Sequence, residues 1–192
     1  GDYIQSYCIK QLFNSCSINP IRVDRDSFYH GDNVNLITNA IIFSTSLPIK
    51  PIIPVFLGVS FVDNPLIPYQ FDKYLKTYEP IGCRDIYSYN LCKKQNIDAF
   101  VSGCYSLTLP RRKVNPKHEK VFFVGIPESF KKYIPQKYLQ NAVFIDQREV
   151  FYHYPLTEKD MYFLENKAEK LVERYKNEAT LVVSPLLHCI SP

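Results

Sequence analysis

The longest run of apolar residues at helical spacing is Met161, Leu164, Ala168, Leu171, Val172 and Tyr175, and Thr157 with Asp160 approximates a capping box just ahead of it. That stripe predicts one long amphipathic helix. A second stripe, Phe71, Tyr74, Leu75 and Tyr78, falls at i, i+3, i+4 and i+7 and predicts a helix from Tyr69 to Tyr78, stopped by Pro80. Ile4, Cys8 and Leu12 predict a third, from Tyr3 to about Phe13, with Asp2 as its N-cap. Elsewhere the apolar runs are of strand length: Ile52 to Phe61, Ile81 to Cys83, Ala99 to Ser102, Val121 to Val124, Ala142 to Ile145 and Leu181 to Val183. Pro54 places the first of these at a sheet edge, or itself at the strand's start; the strand is expected to end at Gly58-Val59-Ser60. Asn19 to Asn33 is polar and turn-rich, and Asn35 to Phe43 alternates too weakly to assign.

The segment from Pro80 to Leu109 organises the rest. It reads as strand Ile81–Cys83, a turn at Arg84-Asp85, a helix to about Gln95, and strand Ala99–Ser102 before a Gly103-Cys104 turn. Tyr87 and Leu91 at i and i+4 mark the helix's apolar face, and Asn96 sits where a left-handed C-terminal cap is wanted. Strands joined by a crossover helix are parallel, so their C-terminal ends share one edge of the sheet. Arg84 and the Gly103-Cys104 turn are therefore expected side by side, at the edge where open α/β sheets bind ligands. The fold class is α/β, a Rossmann-like doubly wound parallel sheet. A helix leading the chain implies a first strand missing from that sheet. Pro110 to Lys120 reads as a connector between two α/β units, giving one domain over residues 1–115 and the start of a second, incomplete one over 116–192. Ser184 to Pro192 begins a further turn and helix.

With 192 residues, 46% of them hydrophobic and 22% charged, the chain can bury a full core. A net charge of +4 suits an anionic small molecule. The basic residues are scattered, not striped, which argues against nucleic acid. The one basic cluster, Arg111-Arg112-Lys113 with Lys117, reads as a solvated loop. Six cysteines (Cys8, Cys16, Cys83, Cys92, Cys104, Cys189) carry no CxxC spacing and no nearby histidine pair. That argues against a zinc site or a secreted disulfide framework. No signal sequence or long apolar run is present, so the expectation is a cytoplasmic protein without a transmembrane segment, free or peripheral to the inner face of the membrane.

Three stretches carry a family resemblance. Gly1-Asp2-Tyr3-Ile4-Gln5 resembles the GD-x-x-Q opening of polysaccharide pyruvyl transferases. Gly82-Cys83-Arg84-Asp85, followed by Ser102-Gly103-Cys104 and Leu107-Thr108-Leu109, resembles their GxRD…GC-x-x-LTL core, and LVVSPLLHCISP (Leu181 to Pro192) resembles their VVTSRLHCALP segment. The resemblance implies a two-domain glycosyltransferase-B-like architecture with the site between two Rossmann-like halves, the second truncated here. It implies transfer of a pyruvyl unit from phosphoenolpyruvate, a co-substrate and not a cofactor, onto two hydroxyls of one sugar in a cell-surface glycan or its lipid-linked precursor. The chain departs from the pattern at two points: Leu186 stands where the family has an arginine two residues before the histidine, and Pro185 replaces a serine. Leucine cannot supply a bidentate anion clamp. Two other readings therefore stand beside the first, a nucleotide-sugar glycosyltransferase of the same architecture and a non-catalytic relative.

Within the leading reading, Arg84 and His188 are the catalytic candidates, the first to grip an anion and the second as general acid. Arg84 in a salt bridge and His188 as a core histidine bonded to a carbonyl are the competing structural roles. Asp2, Gln5, Gly82, Asp85, Gly103, Cys104 and Thr108 are the substrate-contact candidates. Asp85 reads first as a helix cap, Asp2 equally as cap or acceptor contact, and Thr108 first as a strand residue. Gly82 and Gly103 allow tight turns and close backbone approach. His30, His118 and His153 read as surface residues, with His153 also placed to line an interdomain cleft. The tyrosine-rich helices are explained first as core.

Overall fold

The computed structural model describes residues 2–23, 29–42, 47–62, 69–147 and 156–184. The elements in chain order are α1 (Asp2–Ser15), β1 (Val34–Thr38), β2 (Ile41–Ile42), β3 (Ile52–Phe61), α2 (Tyr69–Thr77), β4 (Ile81–Cys83), α3 (Ile86–Lys94) and β5 (Ala99–Val101). After a 3₁₀ turn at Tyr105–Thr108 come β6 (Lys120–Val124), a second 3₁₀ segment at Glu128–Tyr133, α4 (Gln136–Leu139), β7 (Ala142–Ile145), α5 (Glu158–Glu178) and β8 (Ala179–Val183). They form two sheets. The first runs β1-β3-β4-β5 with β2 also on β3, the second β7-β6-β8, and every pairing is parallel. This is the mixed α/β, Rossmann-like class expected.

Both faces of the first sheet are covered. On one, Phe71 and Leu75 of α2 and Cys92 of α3 pack on Phe56, Val59, Phe61, Ile81 and Cys83. On the other, Ile4, Tyr7, Cys8 and Ile9 of α1 meet Tyr105, Ile37 and Leu57, joined by Ala168 and Val172 of α5. The next turn of α5 turns Tyr175 onto Phe122 and Val124 of the second sheet. α5 thus serves both sheets. Its N-terminus carries the reciprocal box that Thr157 and Asp160 announce: the Thr157 side chain accepts from the Asp160 amide, and the Asp160 side chain accepts from the Thr157 amide.

Several expectations are revised. β3 is not an edge strand, since β1 and β4 flank it; Pro54 sits at its start, where β4 has not yet begun to pair (Leu57 is the first partner), so one flank is still open there. The weakly alternating Asn35 to Phe43 holds β1 and β2, separated by a break that blurs the period. In α3 the buried positions are Ser88 and Cys92, while Tyr87 is exposed. The reason is polar: Ser88 Oγ accepts the Phe61 amide at 2.9 Å, which ties that face to β3. Asn96 does adopt the left-handed conformation, at φ 53°. Arg112 is not simply solvated; its Nη1 donates to the carbonyls of Lys176 (3.3 Å) and Ala179 (2.7 Å), closing the C-terminal end of α5. Thr108 lies in a 3₁₀ turn, not a strand. The turn and helix expected from Ser184 onward lie outside the described residues from 185.

Candidate functional site

The strand ends of the first sheet are shaped by one extra residue. Thr38 pairs with Phe56 and Ile41 with Ser60, so three steps on the β1–β2 side face four on β3. On the opposite flank Gly82 pairs with Leu57 and Cys83 with Val59, one step against two. Both mismatches place a bulge at Gly58, whose φ of +81° only glycine adopts without strain. The alternation changes phase there: Phe56 faces the α2–α3 core before the bulge, and Val59 and Phe61 face it afterwards. The shift takes Ser60 out of that core and leaves it half-buried at the strand end. The Gly58 amide, freed from the ladder, donates to Ser102 Oγ at 3.0 Å. Ser102 Oγ in turn donates to the Cys83 carbonyl at 3.1 Å, so β3, β4 and β5 are stitched together at their C-terminal ends.

Arg84 follows β4 directly, and its amide donates to the Val59 carbonyl at 2.6 Å. Its Nε donates to Ser60 Oγ at 2.8 Å, and Ser60 Oγ donates to Asp85 Oδ2 at 2.6 Å. The other Asp85 oxygen accepts the Ser88 amide at 2.8 Å, capping α3. Arg84 and Asp85 are therefore coupled through a hydroxyl. Burial raises the Asp85 carboxyl, but the Ser60 and Ser88 hydrogen bonds and the Arg84 charge outweigh it and hold the group below its ordinary range. Ser60 occupies the Nε position of the guanidinium. Among the described residues no acceptor occupies the Nη edge, the face suited to a bidentate carboxylate or phosphate.

The Gly103-Cys104 turn lies beside Arg84 as the topology requires: Cys83 pairs with Val101, and the Ser102 amide donates to the Cys83 carbonyl at 2.8 Å. Gly103 has φ +74°. Gly82 is required by proximity, since a Cβ there would stand 3.1 Å from both Leu57 Cα and the Phe56 carbonyl oxygen. Gln5 is only 1% exposed; the Cys104 thiol donates to its Oε1 at 3.7 Å, joining α1 to the turn. The Ser106 hydroxyl donates to Cys104 Sγ at 3.1 Å. Thr108 donates its hydroxyl to the Tyr105 carbonyl at 2.8 Å. Asp2 contributes the first residue of α1. His188, Leu186, Pro185 and His153 lie outside the described residues. A hollow of about 460 Å³ on the outer face of α3, lined by Tyr87, Asn90, Leu91, Lys93 and Lys94, includes none of these groups.

Ser60 escaped the sequence reading. The signal available was its place at the end of a glycine-broken strand, but a bulge two residues earlier was needed to turn it toward Arg84. The parallel sheets and the cationic strand end define a Rossmann-like α/β protein with a site suited to an anion. Residues 1–190 match the family model described as polysaccharide pyruvyl transferase, and the chain belongs to that transferase family. No curated protein and no solved structure matches the chain. Among the described residues no helix is long and apolar enough to cross a membrane.

Proposed function

We propose that the chain transfers a pyruvyl group from phosphoenolpyruvate to two hydroxyls of one sugar, in a cell-surface glycan or its lipid-linked precursor, on the cytoplasmic side of the membrane. Residues 1–115 and 116–192 belong to two halves with the site between them. An acid protonates the methylene carbon of the donor while the first sugar hydroxyl adds to the central carbon and gives up its proton to a base. The second hydroxyl then displaces phosphate, which leaves with that hydroxyl's proton, and closes the ketal. His188 is the proposed acid. Arg84 holds the donor's carboxylate or phosphate, and Ser60 and Asp85 position Arg84. Gly82 and Gly103 keep the backbone close to the bound donor. Gln5 and Cys104 fix the turn beside it, and Asp2 and Thr108 are acceptor-side candidates.

The observation that carries this reading is the guanidinium fixed at Nε with its Nη edge unengaged, at a strand end where α/β folds take ligands. The test is release of phosphate from phosphoenolpyruvate, measured with and without a broad glycan panel. Acceptor-dependent release is expected from the wild type, and Arg84→Ala should reduce kcat/KM by about a hundredfold or more, as for loss of a transition-state anion contact. A protein inert across the panel, or one whose melting temperature rises with a nucleotide sugar and not with phosphoenolpyruvate, overturns it.

A further inference from the structure

The crossover from β6 to β7 is built from the 3₁₀ segment Glu128–Tyr133 and the single turn of α4. Three residues per turn set side chains three apart on one ridge. Glu128 and Lys131 share such a ridge, and Lys131 reaches back to the sheet. Its Nζ lies 4.5 Å from the centre of the Phe144 ring and 2.6 Å from Glu128 Oε1, and Phe144 stacks on Phe123 at 5.0 Å. That contact holds the segment against the second sheet. Phe130 and Tyr133 share the next ridge, their rings 6.0 Å apart, and they stand 53% and 72% exposed. Lys132 is beside them, its Nζ 5.0 Å from the Tyr133 ring, and Lys137 follows in α4; both are exposed. From Ile126 to Gln140 the chain carries three lysines against one glutamate, and that glutamate is held by Lys131. The outward face is therefore aromatic and cationic at once.

That combination selects its partner. A protein interface draws on aromatic residues but is depleted in lysine. The headgroup layer of a bilayer suits both. Rings sit at the boundary between acyl chains and water, and lysine stems run along apolar surface to place the ammonium among lipid phosphates. The excess of cations calls for an anionic surface, at about fivefold in binding per lysine. Since no helix among the described residues is long and apolar enough to cross a membrane, contact through them is made at the surface. We propose that the face formed by Phe130, Lys132, Tyr133 and Lys137 docks on an anionic lipid bilayer, the two rings entering the headgroup layer and the two lysines meeting lipid phosphates. The contact needs no assumption about the reaction. Joined to the pyruvyl-transfer reading, it favours the lipid-linked precursor over a finished glycan as acceptor.

The full chain is tested by co-sedimentation with sucrose-loaded vesicles, one set of phosphatidylcholine alone and one with about a third phosphatidylglycerol. Beside the wild type stand Phe130→Ser/Tyr133→Ser, Lys132→Gln/Lys137→Gln, and Lys93→Gln/Lys94→Gln, which makes the same change in net charge on the outer face of α3. All six side chains are exposed, so thermal melting should not separate the variants from wild type. The wild type is expected to sediment with the anionic vesicles in about 0.1 M salt, to be released at about 0.5 M, and to stay in solution with the neutral ones. The patch lysine pair should lower the partition coefficient about twenty-five-fold, and the aromatic pair about tenfold through lost apolar burial. The α3 pair should leave it within about twofold, because charges more than a Debye length from the bilayer are screened. Should the serine variant fold poorly, the lysine pair carries the comparison. The proposal is overturned if the wild type ignores the anionic vesicles, if neutral vesicles bind it equally, or if the patch variants keep the wild-type partition. It is also overturned if the α3 pair weakens binding as much as the patch pair, which would mean bulk charge alone. Vesicle binding that depends on the patch, without any phosphate release from phosphoenolpyruvate, leaves this surface standing and removes the pyruvyl-transfer reading; phosphate release without vesicle binding does the reverse.

Discussion

Asp85 holds two neighbours at once, the first turn of α3 through the Ser88 amide and the Arg84 guanidinium through Ser60. Because its folded carboxyl titrates below the unfolded value of 3.8, the stabilisation is complete above that pH and is lost as pH falls through the folded value. Asp85→Asn keeps a good cap but removes the charge, so it should be less stable than wild type by about 1 kcal/mol at pH 7, the difference between charged and neutral hydrogen bonds. In paired melts the gap should close below pH 4; a gap that stays constant to pH 2 would show that charge is not the cause. Gly82 sets a steric limit at the same edge. A methyl there meets two backbone atoms of β3 at 3.1 Å, so Gly82→Ala should cost about 1–3 kcal/mol in urea unfolding by forcing β3 and β4 apart. An unchanged midpoint would mean the strands separate freely.

Elements with one unbroken period were readable from the sequence. α2, α5 and the apolar runs appear close to their expected bounds: the helices bury one stripe, β4 is buried on both faces as a continuous apolar run allows, and β3 keeps its bounds although the Gly58 bulge breaks its alternation. What was not readable arises where pairing is irregular. The break that separates β1 from β2 and the bulge at Gly58 answer each other across two strands, and a one-residue mismatch shows only once the register is known. Ser60 owes its position to it. α3 failed differently: Leu91 packs against the core as expected, but Tyr87 is exposed, because the fully buried face is set by Ser88 bonding the Phe61 amide. α5 gives a test at this scale. Val172 is buried between α1 and the first sheet's 3₁₀ turn, and Val172→Ala deletes two buried methyl groups. Melting should report a loss of about 2 kcal/mol from transfer and cavity terms. A loss under about 0.5 kcal/mol would mean α1 and α5 are not packed as described.

The two sheets share α5, and that makes their stabilities interdependent. Ala168 and Val172 enter the cluster around α1 and Tyr105, Tyr175 enters the cluster over β6, and Leu171 packs against both. The Arg112 contact with the Lys176 and Ala179 carbonyls fixes the other end of the helix to the segment leaving the first sheet. Three cysteines report on this arrangement from inside. Cys8 lies in the shared cluster, and burial pushes its thiol up to about 12. Cys83 and Cys92 lie 3.9 Å apart in the core of the first sheet, where their mutual hydrogen bond and burial push the Cys83 thiol up. Cys16 is exposed. Since a thiol must meet the reagent to alkylate, iodoacetamide at pH 8 should modify exposed Cys16 promptly and leave the buried Cys8, Cys83 and Cys92 intact until the fold opens. The informative comparison is among the three. If α1 is held by both sheets, peptide mass spectrometry in rising urea should show Cys8 losing protection together with Cys83. Cys8 reacting at the rate of Cys16 would mean that α1 lifts away by itself, and the α1–α5 core would then contribute little to joining the sheets.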